Sequence, residues 1–194
     1  MNNKLIFTSY GLTTGMGRAL IGKELKAYNL EDKKIFLFHE PYYSSETMLV
    51  RACMNLGFKK ENIILSGQQT SNQEVLEADI YYIGEGNTYE VLSILRERQL
   101  DSVIKEGFQK GNKIYIGCSA GAAIAGVSIE EILDFDGNYV GIVDFTGLSL
   151  FDGIIIPHCS TSELKCYIRN RVGIEEKYNK ILSVSNDESL VKDA

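Results

Sequence analysis

Short apolar runs that show no alternation of polar and apolar positions recur along the chain, separated by stretches with helical spacing. A strand needs apolar residues on both sides when helices cover both faces of its sheet. Strands of this kind alternating with helices predict an α/β fold, a doubly wound, mostly parallel sheet with helices on both faces. The first predicted strands are Leu5–Ser9, Ile35–Phe38, Asn62–Leu65, Asp79–Ile83 and Lys113–Ile116.

Helical periodicity between these runs, and a looser pattern after them, complete the predicted order of elements. We expect residues 127–150 to form a hairpin or an irregular excursion, because they hold many glycines and aspartates and no long helical period. Two more strands are predicted at Ile154–Ile156 and Ile181–Val184. The predicted helices are Thr14–Tyr28, Ser45–Leu56, Thr88–Arg98, Asp101–Gln109 and Ser162–Arg171.

Composition narrows the function classes. A length of 194 residues, 44% of them hydrophobic, predicts a single domain over residues 1–194. The net charge of −6 without a basic cluster predicts no nucleic-acid partner, and no apolar run reaches the ~20 residues of a membrane span. With no secretory signal and four cysteines that are not arranged as CxxC, we expect a cytoplasmic protein with reduced thiols. We expect no metal or other cofactor, and a homodimer only because dimers are the commonest assembly.

The pentapeptide Gly117-Cys118-Ser119-Ala120-Gly121 follows a predicted strand and precedes a run of small residues that suits a closely packed helix. Strand, tight glycine-flanked turn and helix is the context of a nucleophile elbow, in which the serine takes a strained backbone conformation. The sequence therefore predicts Ser119 as the nucleophile of an acyl-transfer hydrolase.

A serine nucleophile needs a base, and the chain contains two histidines. His158 follows a predicted strand end and is favoured over His39, which follows an earlier strand that we expect to lie further from the elbow. A third group must orient the imidazole. Glu188 has a strand-end position in its favour, but composition leaves several other carboxylates open: Asp134, Asp136, Asp144, Asp152 and Asp187.

The segment Gly84-Glu85-Gly86-Asn87-Thr88 also follows a strand and precedes a helix. Glycines let backbone N–H groups approach a ligand closely, and a helix N-terminus favours negative charge. We therefore predict an oxyanion hole in which the amide of Gly86 or Asn87 joins that of Ala120, with Asn87 and Thr88 as candidate substrate-binding residues.

Three blocks of this sequence resemble the peptidase family S51, which comprises dipeptidase E (aspartyl dipeptidase) and the cyanophycinases. Residues 82–89, Tyr-Ile-Gly-Glu-Gly-Asn-Thr-Tyr, resemble the family's Gly-Gly-Gly-Asn-Thr-Phe signature. Residues 116–122 resemble its Gly-x-Ser-Ala-Gly-Ala elbow, and residues 147–150 followed by Pro157-His158 resemble its Gly-Leu-Gly-Leu … Pro-His segment. The blocks keep the family's order and approximate spacing over most of the chain.

This resemblance implies a class I glutamine amidotransferase-like fold and a Ser-His-Glu triad. By position, Ser119 matches the nucleophile, His158 the base and Glu188 the glutamate, while Gly86 and Ala120 match the oxyanion-hole amides. Asp134 matches another acidic position of the family and ranks second as the third triad member. It is also a candidate substrate-binding residue.

The resemblance implies a serine exopeptidase that hydrolyses short peptides. A cyanophycinase-like isopeptidase, an esterase with the same triad and a non-catalytic small-molecule-binding protein are the alternatives. Glu85 departs from the family's pattern, since it replaces a glycine and adds a carboxylate that could change the preferred substrate charge or block the reactive geometry. The sequence does not assure a preference for an acidic N-terminal residue. Because few residues follow Glu188, we expect the last strand to be short or missing.

Overall fold

The computed structural model describes residues 3–39, 45–67 and 70–193. In it the chain alternates between strands and helices, as predicted. The strands are β1 (Lys4–Thr8), β2 (Ile35–Phe38), β3 (Ile63–Leu65), β4 (Ile80–Ile83), β5 (Ile114–Cys118), β6 (Ile154–Pro157), β7 (Ile181–Val184) and β8 (Ser189–Asp193). The helices are α1 (Gly15–Leu25), α2 (Glu46–Leu56), α3 (Asn72–Glu77), α4 (Thr88–Glu97), α5 (Leu100–Gln109), α6 (Ala120–Ile124), α7 (Thr161–Arg169) and α8 (Ile174–Lys177).

The main sheet has the strand order β3-β2-β4-β5-β1-β8, and every neighbouring pair is parallel except β1 with β8. Strands β6 and β7 pair in parallel in a separate two-stranded sheet. The predicted doubly wound, mostly parallel α/β fold is confirmed. The last strand was expected to be short or missing, but β8 spans Ser189–Asp193 and pairs with the whole of β1.

Burial on both faces of the main sheet explains the continuous apolar runs. Tyr81 and Tyr82 are neighbours on β4, yet they belong to different core clusters on opposite faces of the sheet. The cluster of Tyr81 includes residues of α4, α5 and α6, whereas the cluster of Tyr82 includes residues of α1 and α2. Among the helices of the described residues, none combines the length and apolar character that crossing a bilayer requires.

Residues 127–150 form the irregular excursion that the sequence predicts. They contain a 3-10 helical turn at Glu130–Asp134 and an isolated bridge between Ser128 and Thr146. Arg96 of α4 holds the far end of the excursion through hydrogen bonds to the carbonyls of Asp144 and Thr146. The excursion leads back to β6, whose carboxyl end supplies His158.

Candidate active site

The carboxyl ends of β4, β5, β6 and β7 carry the polar residues that the sequence singles out. In parallel sheets, ligands bind outside this edge, because the loops that follow the strands converge there. Ser119 follows β5, His158 follows β6, and the Gly84–Asn87 loop follows β4.

Ser119 has the strained backbone of a nucleophile elbow, with φ 51° and ψ −112°. Its N–H donates to the carbonyl of Thr8 at 3.0 Å, which fixes the turn against β1. The flanking glycines are required by close packing, since a Cβ on Gly117 would lie 2.6 Å from the carbonyl oxygen of Gly121. A Cβ on Gly121 would strike the carbonyl of Ile83 on β4. The close packing of α6 against the sheet therefore explains why both flanking positions of the Gly-x-Ser-x-Gly pattern are glycine.

His158 faces Ser119 directly. Its Nε2 lies 3.0 Å from the Oγ of Ser119. The backbone N–H of His158, whose φ is 55°, donates to the Oγ of Ser9 at 2.9 Å, and that hydroxyl donates to the carbonyl of Val184 at 2.7 Å. The ring of Tyr10 meets the imidazole edge to face, with a centroid separation of 5.5 Å. Ser9 thus joins β1, β6 and β7 at the site.

His39, the competing base, lies elsewhere on this edge. It is buried at the end of β2, and its Nε2 lies 3.8 Å from Oε1 of Glu46. The geometry therefore places His158, and not His39, against the elbow.

Glu188 does not contact the imidazole, which corrects the prediction that it orients His158. The Nδ1 of His158 instead lies 2.7 Å from Oδ1 of Asn186. Glu188 accepts a hydrogen bond from the N–H of Ser185 at 2.8 Å and closes the turn that carries Asn186. A strand-end position locates the orienting group to within a residue or two, and the turn decides which side chain points at the ring.

Asp134, the second candidate for that role, is paired with a different residue. It forms an ion pair with Arg171, which is bound at 3.2 Å by Glu131 as well. The expectation of Asp134 as a third triad member is therefore corrected, because its carboxylate is engaged by the chain that follows α7.

Asn87 and Thr88 hold the irregular excursion through their side chains. Asn87 accepts from the N–H groups of Tyr89 and Glu90 as the N-cap of α4, and its amide donates to the carbonyl of Gly137 at 2.9 Å. The hydroxyl and N–H of Thr88 both donate to one oxygen of Asp136, at 2.6 and 2.8 Å. Both side chains are buried and hydrogen-bonded to protein partners, and the N–H of Thr88 is engaged by Asp136 as well, so neither side chain is directed to a ligand.

The two amides predicted for an oxyanion hole lie on adjoining loops. The N–H of Gly121 donates to the carbonyl of Gly84 at 3.2 Å, which ties the start of α6 to the loop after β4. Within the part of the chain that the structure describes, the N–H groups of Gly86 and Ala120 have no hydrogen-bond acceptor.

Glu85 turns toward the loop after β1. Its Oε1 accepts from the N–H of Gly11 at 2.6 Å, and its Oε2 accepts from the hydroxyl of Thr13 at 3.0 Å. The carboxylate thus braces the loop that follows β1. This contact removes the argument that Glu85 blocks the elbow.

Cys118 directly precedes Ser119 but is not a rival nucleophile. Its side chain is fully buried, and burial raises the pKa of the thiol to about 12. At neutral pH the residue is therefore the unreactive thiol, because the thiolate is the nucleophilic form.

Ser9 and Asn186 are the site residues that the sequence analysis missed. Both carried a usable signal, since Ser9 ends the first apolar run and Asn186 follows β7 by two positions. Asn186 was not predicted, because the orienting group of a serine hydrolase is usually a carboxylate.

Comparison with known proteins gives a consistent set of relatives. Residues 39–192 match the model of peptidase family S51. Peptidase E of Haemophilus influenzae is 32% identical over 141 residues, which are 72% of this chain and 61% of that protein. Peptidase E of Shewanella denitrificans is 31% identical over 63% of this chain and 48% of that protein. This chain therefore spans about half to three fifths of the length of these two relatives.

Two solved structures share the fold. A candidate Peptidase E protein from Listeria monocytogenes superposes over the whole of both chains with a TM-score of 0.70 and 22% identity. A peptidase from an acI-B1 actinobacterium superposes over all of this chain and 84% of its own, with a TM-score of 0.65 and 16% identity.

Proposed function

Because this chain belongs to peptidase family S51, we propose that it is a serine-type peptidase that hydrolyses short peptides through an acyl-enzyme on Ser119. The observation that carries the proposal is the 3.0 Å contact between the Oγ of Ser119 and the Nε2 of His158 at a strained elbow. Nucleophile and base within hydrogen-bond reach are the signature of covalent catalysis by a serine.

In the proposed reaction, His158 removes the hydroxyl proton of Ser119 as its Oγ attacks the peptide carbonyl. The base then gives that proton to the leaving amine, and the peptide bond breaks to leave an ester on Ser119. A water molecule, deprotonated by the same imidazole, then attacks the ester, and the imidazole returns the proton to the Oγ of Ser119 as the ester bond breaks and the acid is released.

The negative charge that develops on the carbonyl oxygen needs donors. The N–H groups of Gly86 and Ala120, which have no acceptor among the described residues, are free for this role. One such donor is worth about 3 kcal/mol of transition-state stabilisation. The start of α6 adds the same sign of field, because Ala120 is its first residue.

The names of the relatives support a peptide as substrate, and the resemblance of the motifs supports a short peptide that is cleaved as an exopeptidase does. The non-catalytic alternative loses its main support, since the carboxylate of Glu85 is directed to Gly11 and Thr13. The proposal does not include a preference for an acidic residue in the substrate.

Labelling with a fluorophosphonate probe tests the proposal without knowledge of the substrate. We expect the wild-type protein to be labelled on Ser119, and the Ser119→Ala variant to lose both labelling and peptide hydrolysis. Ser149→Ala is a matched control, because Ser149 is exposed and also has a positive φ (54°), but it lies outside the site. Full peptidase activity in Ser119→Ala would overturn the proposal.

A panel of dipeptides, β-linked dipeptides and short esters then identifies the substrate class. We expect the highest kcat/KM for α-linked dipeptides. A preference for β-linked peptides or for esters would instead favour the isopeptidase or the esterase.

A further inference from the structure

The imidazole of His158 is held by an amide and not by an acid. Oδ1 of Asn186 lies 2.7 Å from Nδ1, while within the described ranges no carboxylate forms an ion pair with this histidine. The proton on an imidazole is placed by the hydrogen bond that the other ring nitrogen makes. An oxygen acceptor at Nδ1 keeps the proton there and leaves the lone pair of Nε2 facing Ser119.

We infer that Asn186 is the positioning residue of this site, which sets the tautomer and orientation of His158 in place of the expected carboxylate. The inference rests on the proposed function, since it needs His158 to act as the base. Only the oxygen end of the amide can serve, because an NH2 group at Nδ1 would require the lone pair there and put the proton on Nε2. An amide oxygen has the same role in Cys-His-Asn hydrolases.

The fold brings the two residues together through strand register. Strands β6 and β7 are paired with Pro157 opposite Val184, so the residues that follow each strand emerge side by side. The N–H of Cys159 donates to the carbonyl of Val184 at 3.1 Å, and the hydroxyl of Ser9 donates to the same carbonyl. These contacts fix the position of His158 relative to the end of β7.

Two carboxylates hold the turn that presents Asn186. Glu188 accepts from the N–H of Ser185, and Asp187 accepts from the hydroxyl of Ser185 at 2.8 Å. The two carboxylates of this segment therefore affect the imidazole only indirectly, through the turn. They shape the turn, and the amide touches the ring.

An amide orients the imidazole but stabilises its protonated form less than a carboxylate does. The ring also contacts the ring of Tyr10 and the hydroxyl of Ser119, and neither of these groups carries a charge. A carboxylate at position 186 should therefore favour imidazolium, so the free base would become available only at higher pH.

The rate of fluorophosphonate labelling of Ser119 as a function of pH tests the inference in the full-length protein. We expect Asn186→Ala to slow labelling by about tenfold to a hundredfold, which reaches only the lower end of the about 10²–10⁴-fold that a general base contributes, because the imidazole itself is kept. Asn186→Asp should label at or above the wild-type rate on its plateau, with the acid limb of the profile moved to higher pH. Asn170→Ala is the matched control, because Asn170 is an exposed asparagine at the end of α7 that forms no hydrogen bond with His158, and it should keep the wild-type profile.

Nitrogen NMR of the histidine rings reads the tautomer directly. The chain has only two histidines, so ¹⁵N-histidine labelling gives two ring spin systems, and His158→Gln assigns them. We expect the proton of neutral His158 on Nδ1 in the wild type, and a mixture of tautomers in Asn186→Ala. A wild-type proton on Nε2, an Asn186→Ala variant that labels at the wild-type rate, or an Asn186→Asp profile that does not move would each overturn the inference.

The two proposals fail separately. Absence of Ser119 labelling in the wild type would reject the proposed function, whereas normal labelling with no effect at position 186 would reject only the positioning role. If Asn186→Ala does not fold, the wild-type tautomer and the Asn186→Asp profile still decide the question.

Discussion

At the scale of single residues, a separation of two positions decides which group meets the imidazole of His158. Asn186 lies at the tip of the turn after β7 and reaches Nδ1, whereas Glu188 turns back to the N–H of Ser185. The acidic residues and the strand-end position correctly indicated that the turn after β7 supplies the group that contacts His158. They could not resolve its individual side chains, because the direction of each depends on the turn geometry.

Replacement of Glu188 by glutamine separates a turn-closing role from a triad role. The amide oxygen of Glu188→Gln can still accept from the N–H of Ser185, so we expect kcat/KM within about threefold of wild type, since the hydrogen bond is kept. Glu188→Ala, which removes the acceptor, should reduce activity more. If Glu188 were the orienting acid, Glu188→Gln would instead approach the ~10⁴-fold loss known for a triad amide in the wrong tautomer, and steady-state kinetics would reveal it.

At the scale of secondary-structure elements, α7, which directly follows the site, is held by a half-buried apolar face of Leu164, Tyr167 and Ile168 and by its N-terminal cap. None of its residues is fully buried, and its N-terminus carries a capping box in which Ser160 and Glu163 satisfy each other's backbone N–H groups. The side chain and backbone of Ser160 both donate to Glu163 and lower the pKa of its carboxyl. The N-cap residue Ser160 lies two positions after His158, so the start of α7 and the histidine belong to the same short stretch of chain.

The capping box should make the stability of α7 depend on pH in a defined direction. A carboxyl whose pKa is lower in the folded than in the unfolded state stabilises the fold above the unfolded value, and that contribution is lost as the pH falls. We expect Glu163→Gln to have a lower Tm than wild type at pH 7, and the difference to shrink below about pH 4. Glu74 forms the same box with Ser71 on α3, and Glu74→Gln should behave alike. An unchanged difference at pH 3 would contradict this account.

At the scale of the whole molecule, a buried carboxylate joins the irregular excursion to the chain around α7 and α8. Glu131 is 9% exposed, and its side chain accepts from Tyr167, Arg171, Lys177 and Tyr178. The sequence predicts the excursion and the helix at α7, but it does not mark Glu131 as the residue that joins them. The contact matters to the site because the joined segments lie on either side of β6, which carries His158.

Two adjacent glutamates allow a matched measurement of this junction. Removing one partner of a buried ionic network costs about 3–5 kcal/mol, and the partial exposure of Arg171 and Lys177 reduces this to about 2 kcal/mol for Glu131→Ala. Glu130 pairs with Lys177 at the surface, so Glu130→Ala should cost less than about 1 kcal/mol. Urea denaturation of both variants checks the difference, and equal losses would contradict the buried junction.

The sequence by itself determined the α/β class, the two-sided burial of the strands and the elbow around Ser119. These features can be read from short stretches of sequence, namely apolar runs and a pair of glycines. At each of these glycines an added Cβ would collide with backbone. Tertiary structure alone decided that β6 and β7 form a separate sheet, that β8 joins β1 antiparallel and that Asn186 meets His158. Such outcomes depend on strand register and turn geometry between residues far apart in the chain, and no local pattern of residue types encodes those distances.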